Sequence, residues 1–154
     1  MSEINKNSEI LFLYDATLTN PNGDPDDENR PRIDPKTGVN LVTDVRLKRY
    51  FRDFIINHYG NEYIWVAKQE EGGTMRSVQP KERLSTLGVD AEKLTERCID
   101  ARLFGATIPE QADREGEKGK STSFVGPVQF GWGFSLHKVD LVDSRTITSV
   151  FSGR

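Results

Sequence analysis

Four sets of residues have types and spacing that could do chemistry. The first is the run Asn20-Pro21-Asn22-Gly23-Asp24-Pro25. Asn amides and the backbone N–H groups of a glycine turn can meet phosphates or 2′-hydroxyls, which makes Asn22 and Gly23 candidate contacts. An ordinary well-made turn has the same composition. The second set is cationic: Arg30 and Arg32, then Lys48, Arg49 and Arg52. Such residues track a sugar–phosphate backbone without reading sequence, although a solvated helix face looks similar. The third set is acidic, Asp24, Asp26, Asp27 and Glu28. It fails as a calcium loop, because Asn29 replaces the required glycine and Pro35 stands where the bidentate Glu belongs. A solvated acidic loop is the expectation, with no metal and no cofactor. The fourth set is His58, His137 and Cys98. The histidines show neither ligand spacing nor pairing with a nucleophile, and Cys98 falls on an apolar face, so all three read as structural. No P-loop and no nucleophile elbow occurs.

Local pattern predicts the elements that must carry these residues. Residues 9–17, a short apolar run, read as a buried strand that leads into the Asn22 turn. Residues 19–40 hold Pro21, Gly23, Pro25, Pro31, Pro35 and Gly38, and so read as a long irregular stretch. Residues 43–59 read as a helix capped by Thr43 or Asp44 and ended by Gly60. At 100° per residue, Leu47, Tyr50, Phe51, Phe54 and His58 share one face, expected to pack on a sheet. Lys48, Arg49 and Arg52 share another.

Further along, a hairpin is expected over 63–79, with Tyr63 to Ala67 as its first strand, a turn at Glu70 to Gly73 and a return over Thr74 to Gln79. A short helix is expected over 81–87, ended by Gly88. A single helix is expected over 91–104, capped by Asp90 and ended by Gly105. Residues 109–122 read as a flexible, charge-mixed loop. Residues 124–142 return to strand character, with Phe130, Trp132, Phe134 and Leu136 alternating with small residues. A last strand is expected over Thr146 to Phe151. The sum is an α+β pattern in a single domain.

Composition bounds the rest. A chain of 154 residues with 35% hydrophobic and 29% charged residues is the size of one soluble domain. The net charge of -3 does not announce a nucleic-acid binder, but its distribution is uneven. Residues 1–29 are mainly acidic, whereas residues 30–59 carry seven Lys or Arg, from Arg30 to Arg52, against Asp34, Asp44 and Asp53. A local basic patch matters more for phosphate binding than the total. One cysteine excludes an intramolecular disulfide and a thiolate cluster. Polar residues follow Met1, and no apolar run approaches bilayer-spanning length, so a cytoplasmic protein without membrane partners is expected.

Six blocks then carry a family resemblance: Ile10-Leu11-Phe12-Leu13-Tyr14, Asn20-Pro21-Asn22-Gly23-Asp24-Pro25, Asn29-Arg30-Pro31-Arg32-Ile33-Asp34, Leu41-Val42-Thr43-Asp44-Val45-Arg46-Leu47-Lys48-Arg49, Asp100-Ala101-Arg102-Leu103-Phe104-Gly105 and Gly126-Pro127-Val128-Gln129-Phe130-Gly131-Trp132-Gly133. In this order they resemble the Cas-seven family, the repeated backbone subunit of type I CRISPR Cascade, with the type I-B branch nearest and type I-C next. The resemblance covers essentially the whole chain.

It implies a modified RNA-recognition-motif palm, ferredoxin-like, of which residues 1–154 would be the N-terminal part. It also implies a non-catalytic protein that holds a CRISPR guide RNA by its backbone. Its other partners would be copies of itself, further Cascade subunits and, through the guide, a target DNA strand. RNA contacts carry over to Asn22 and Gly23, to the helix bearing Thr43, Lys48, Arg49 and Arg52, and to a strand holding Gln129. Arg30 and Arg32 are added on charge and position. Family members are expected to be about twice this length, consistent with a domain still needing its second half. The ending Ser152-Gly153-Arg154, soon after an apolar run, likewise leads to the expectation of a fragment. Two alternatives stay open. One is an RNA endonuclease as in type III relatives, with Asp24 or Asp26 as the catalytic candidate. The other is a protein-only scaffold whose basic face meets acidic partners.

Overall fold

The computed structural model of the chain describes residues 5–71, 74–109 and 121–141. Its helices and strands mix along the chain, and the fold is α+β. The chain divides into two compact units, one of Met1–Leu41 with Ser135–Arg154, the other of Val42–Phe134.

In the first unit, turn chemistry does most of the shaping. Strands β1 (Gly23–Asp24) and β2 (Arg30–Pro31) pair antiparallel, Gly23 opposite Pro31 and Asp24 opposite Arg30. The connection closes because Glu28 and Asn29 take left-handed φ values of 48° and 59°, which Asn tolerates better than most residues. The Asn29 N–H then reaches the Asp24 carbonyl at 2.8 Å. A second turn follows at once. The Asp34 carboxylate accepts from the Lys36 N–H at 3.0 Å and from the Thr37 hydroxyl at 2.7 Å, and Gly38 supplies φ 71°. Ile33 bridges to Asn40, and β3 (Val39–Val42) pairs with β8 (Gly133–Lys138). The stretch expected to be irregular is thus two tight turns with short strands between them.

The strand expected over 9–17 does not form. Ile10 and Leu11 are 86% and 85% exposed, and the segment belongs to no sheet among the described residues. An apolar run becomes a strand only where a neighbour takes up its backbone groups, and no described strand does so here.

The second unit opens with α1 (Asp44–Tyr59), and both ends match the sequence signals. Thr43 is the cap, its hydroxyl accepting the Arg46 N–H at 3.3 Å, and the Gly60 N–H closes the helix onto Ile55 and Ile56 carbonyls at φ 118°. The expected packing face is only partly used. Phe51 meets Phe104 edge to face at a centroid distance of 5.2 Å, but Tyr50 and Phe54 remain exposed. No residue of α1 is fully buried, because within this unit only one side of the helix is covered.

Helix α2 (Pro80–Leu87) begins on Pro80 and stops at left-handed Gly88, as its sequence requires. Around it lies the core: Trp65, Leu94, Cys98, Ala101 and Ile108, with Leu84, Leu87 and Phe124 packed against them. Each large apolar side chain so buried stabilises the unit by about 1.5–3 kcal/mol.

Two expected elements differ in the folded chain. The helix expected over 91–104 is a 3-10 turn at Ala91–Lys93, α3 (Leu94–Arg97) and α4 (Ile99–Phe104), broken where Cys98 is extended (φ −104°, ψ 116°). The hairpin keeps its return strand within Thr74 to Gln79, and only its first strand lies further along the chain than expected. Tyr63 ends a 3-10 turn, and β4 (Lys68–Glu71) pairs with β5 (Thr74–Ser77), Lys68 opposite Ser77. Asp100 accounts for the missing strand at Trp65 and Val66. Its fully buried carboxylate accepts the Trp65 N–H at 2.6 Å and the Val66 N–H at 3.1 Å, so these groups bond a side chain rather than a strand ladder.

Strands β6 (Gly105–Pro109) and β7 (Ser121–Val125) pair antiparallel, and residues 110–120 of the expected loop lie outside the described residues. The strand expected over Thr146 to Phe151 also lies outside them. Residues 124–142 contribute the end of β7 and then β8, with Gly126 to Trp132 between them in no regular element.

Cys98 is buried in this core, and burial pushes its thiol from 9.0 up to about 11. In the folded chain the thiol should therefore resist alkylation at pH 8, reacting only on opening. Because the folded value lies above the unfolded one, stability from this group is complete below pH 9 and falls as pH rises toward about 11. Iodoacetamide labelling rates with and without urea, followed by mass spectrometry, check the first expectation; urea midpoints across that pH range check the second.

Candidate nucleic-acid interface

The first-unit candidates sit on the β1–β2 turn. Asn22 is buried at 4% exposure, and its carbonyl accepts the Arg32 N–H at 3.1 Å. Gly23 lies so close to the Asn29 side chain that a Cβ there would collide with it. The Asn20 amide reaches the Asn29 carbonyl at 2.6 Å and tightens the same turn. Arg32 faces Asp24 at 3.1 Å, and the exposed Arg30 faces Glu28 at 3.4 Å. Asp24 also accepts the Asp26 N–H at 3.2 Å. The acidic residues thus serve the turn and its arginines. Among the described residues no group of three or more His, Cys, Asp or Glu converges to hold a metal ion.

The second-unit candidates sit on α1 and on the loop after β7. The Thr43 hydroxyl is engaged as the helix cap. Lys48 Nζ lies 3.1 Å from Asp44 and 5.9 Å from the centre of the Phe104 ring. Arg49 bonds Asp53 one turn onward. Arg52 is different in kind. Its Nε donates to the Asp100 carboxylate at 2.8 Å, its guanidinium lies 5.5 Å from the Phe104 ring centre, and its side chain is 11% exposed.

Phe104 gathers this side of the unit. Phe130 approaches it at 5.8 Å, which brings the Gly126–Phe130 loop against α4. Gly126 permits the approach, since a Cβ there would strike the Leu103 carbonyl, and the Val128 N–H then bonds that carbonyl at 2.9 Å. Gln129 stands exposed on this loop, its amide bonded to the Gly126 carbonyl at 3.0 Å. Phe104 therefore links the Lys48 and Arg52 side chains to the loop bearing Gln129.

Sequence reasoning missed Asp100 and Phe104 as organisers, and it missed the pairing of every candidate cation with a carboxylate. One signal was present. Asp100 interrupts an otherwise apolar set, Cys98, Ile99 and Ala101, and a charge in that place must find buried partners. The spacing of Lys48 from Asp44 and of Arg49 from Asp53 was also legible as helical pairing. His58 stacks on Phe54 at 4.2 Å, and His137 is exposed on β8.

Replacing Arg52 by Ala should leave the Asp100 carboxylate buried without its cation, at a cost of about 3–5 kcal/mol. Lys48→Ala and Arg49→Ala, each removing a helical surface pair, should cost less than about 1 kcal/mol. Urea denaturation of the three variants separates the anchoring cation from the other two; equal losses would show that Arg52 holds no special place.

The family profile described as "CRISPR-associated protein Cas7" matches residues 6–154. A curated relative from Haloferax volcanii, "CRISPR-associated protein Cas7", is 36% identical over 172 residues, covering 99% of this chain and 49% of the relative. The chain thus spans about half the length of the curated relative it matches. With a profile over nearly its full length and this degree of identity, the chain belongs to the Cas7 family of CRISPR-associated proteins.

Proposed function

We propose that this chain is the N-terminal part of an RNA-binding backbone subunit of a type I Cascade complex, nearest to type I-B, and that it has no catalytic role of its own. In this reading its α+β fold belongs to a modified RNA-recognition-motif palm. The protein acts in the cytoplasm, polymerises with copies of itself along the guide RNA, and meets other Cascade subunits and the target DNA strand through that assembly. Among the described residues no helix is long and apolar enough to cross a membrane.

The observation that carries the reading is the juxtaposition on Phe104. A helix bearing Lys48, Arg49 and Arg52 and a loop bearing Gln129 meet there, in a chain that belongs to the Cas7 family. Lys48 and Arg49 supply charge to phosphates, and Gln129 supplies an amide that can donate and accept. Arg52 holds α1 in place through Asp100 and lends its charge from behind. On the other unit, Arg30 and Arg32 add cations beside the turn at Gly23, and the buried Asn22 supports that turn from within.

The deciding experiment compares RNA binding by the full-length protein with that of a Lys48→Ala, Arg49→Ala double variant across a salt series. Arg52 is left intact so that loss of fold is not mistaken for loss of binding. The variant should bind more weakly, with a salt slope flatter by about 0.7 for each phosphate no longer neutralised. Equal binding would move the RNA surface elsewhere and favour the protein-only scaffold; poly-uridine competition against protein partners distinguishes that case. Asp24→Ala should leave divalent-dependent RNA cleavage at background, unchanged from the parent; cleavage by the parent that this substitution abolishes would establish the nuclease alternative.

A further inference from the structure

Each cation of the α1 candidate face is already one half of an ion pair. Lys48 answers Asp44, Arg49 answers Asp53 and Arg52 answers Asp100. The three acids do different work. Asp100 is buried and organises the core. Asp44 lies in the first turn, where a negative charge suits the helix dipole, and it precedes its lysine in the favourable acid-then-cation order. Asp53 has neither justification. It lies beyond the first turn and follows its arginine, in the less favourable order, and its side chain is 46% exposed. Helix stability gives little reason for a carboxylate here.

We infer that Asp53 sets RNA affinity by occupying Arg49, so that binding is an exchange of this carboxylate for a backbone phosphate. The inference rests on the proposed RNA-binding role of α1 and adds how that role is tuned. With no RNA present, Asp53 neutralises the guanidinium and keeps the face from attracting polyanions indiscriminately. When a phosphate approaches, Arg49 turns from one oxyanion to another at little net cost. Its planar fork suits either partner. The released carboxylate remains one helical turn away and repels the phosphate, so each binding event works against a fixed opposing charge. A row of paired cations therefore engages a continuous phosphodiester strand, where several exchanges add, and holds any single phosphate poorly.

The test uses the full-length protein and fluorescein-labelled poly-uridine RNA, titrated over a salt series. Asp53→Asn preserves shape and an acceptor oxygen while removing the charge. It should tighten binding about two- to fivefold, the range that losing one surface ion pair can supply, and steepen the salt dependence. Its urea stability should fall by no more than the worth of that one surface pair, so tighter binding cannot come from a firmer fold. Glu92→Gln, on the exposed Ala91–Lys93 turn, makes the same change in net charge and should leave affinity unchanged.

If Glu92→Gln tightens binding as much as Asp53→Asn, total charge is the cause and the inference falls. If Asp53→Asn weakens binding, Asp53 holds Arg49 in its RNA-binding pose and the inference is reversed. If Asp53→Asn matches the parent while Arg49→Ala weakens binding, the RNA-binding role of α1 stands and the tuning does not. If neither substitution changes binding, the RNA-binding role of α1 fails, and the inference with it.

Discussion

The buried carboxylate of Asp100 organises the second unit. It has no solvent exposure and accepts three hydrogen bonds, from the Trp65 and Val66 N–H groups and from Arg52 Nε. A charge so placed is tolerable only when its lone pairs are filled and a cation stands beside it. The partners come from distant parts of the chain, and satisfying the charge draws those parts together. Arg83, at 4% exposure, works on the same segment from the opposite sign. Its guanidinium donates to the Asn61 and Ile64 carbonyls, and burial holds its pKa below the usual arginine value. Residues 61–66 form no strand, yet backbone groups along them are bonded by side chains from α2 and α4.

This arrangement determines how α1 presents its cations. Arg52 is committed to Asp100, which fixes the rotation of the helix and lays Phe51 and Arg52 against Phe104. Once that rotation is set, Lys48 lies over the same ring and Arg49 stands one step around the helix, bonded to Asp53. A division of labour results along a single basic stretch: one residue is paired with a buried acid, and its neighbours are paired with partly exposed ones. Three cations close in sequence would otherwise look equivalent. Their acids separate them, because Asp100 is fully buried whereas Asp44 and Asp53 are 29% and 46% exposed, and pairs so placed face different costs on breaking.

The first unit relies on turns rather than a core. Asp34, Asn29 and Gly38 each take a backbone conformation or a hydrogen bond that their neighbours could not supply. The Asn22 segment is held by the β1–β2 pairing and by the Asn20 amide, so its geometry is local in origin.

Sequence alone determined whatever depends on neighbours within one helical turn or one tight turn. The ends of α1 at Thr43 and Gly60, the stop of α2 at Gly88, the turn character around Gly23 and Gly38, and the ordered blocks that place the chain in the Cas7 family were all legible. Tertiary structure decided the break at Cys98, the displaced first strand of the hairpin, the separate role of Arg52 and the exposure of residues 9–17. The physical reason is range. A cap or a periodic stripe is complete within a few residues, whereas Asp100 finds the Trp65 N–H across 35 positions and Arg52 across 48. A strand, likewise, exists only where another lies beside it. Apolar alternation announces that a segment could be a strand; which backbone meets it is a property of the folded chain.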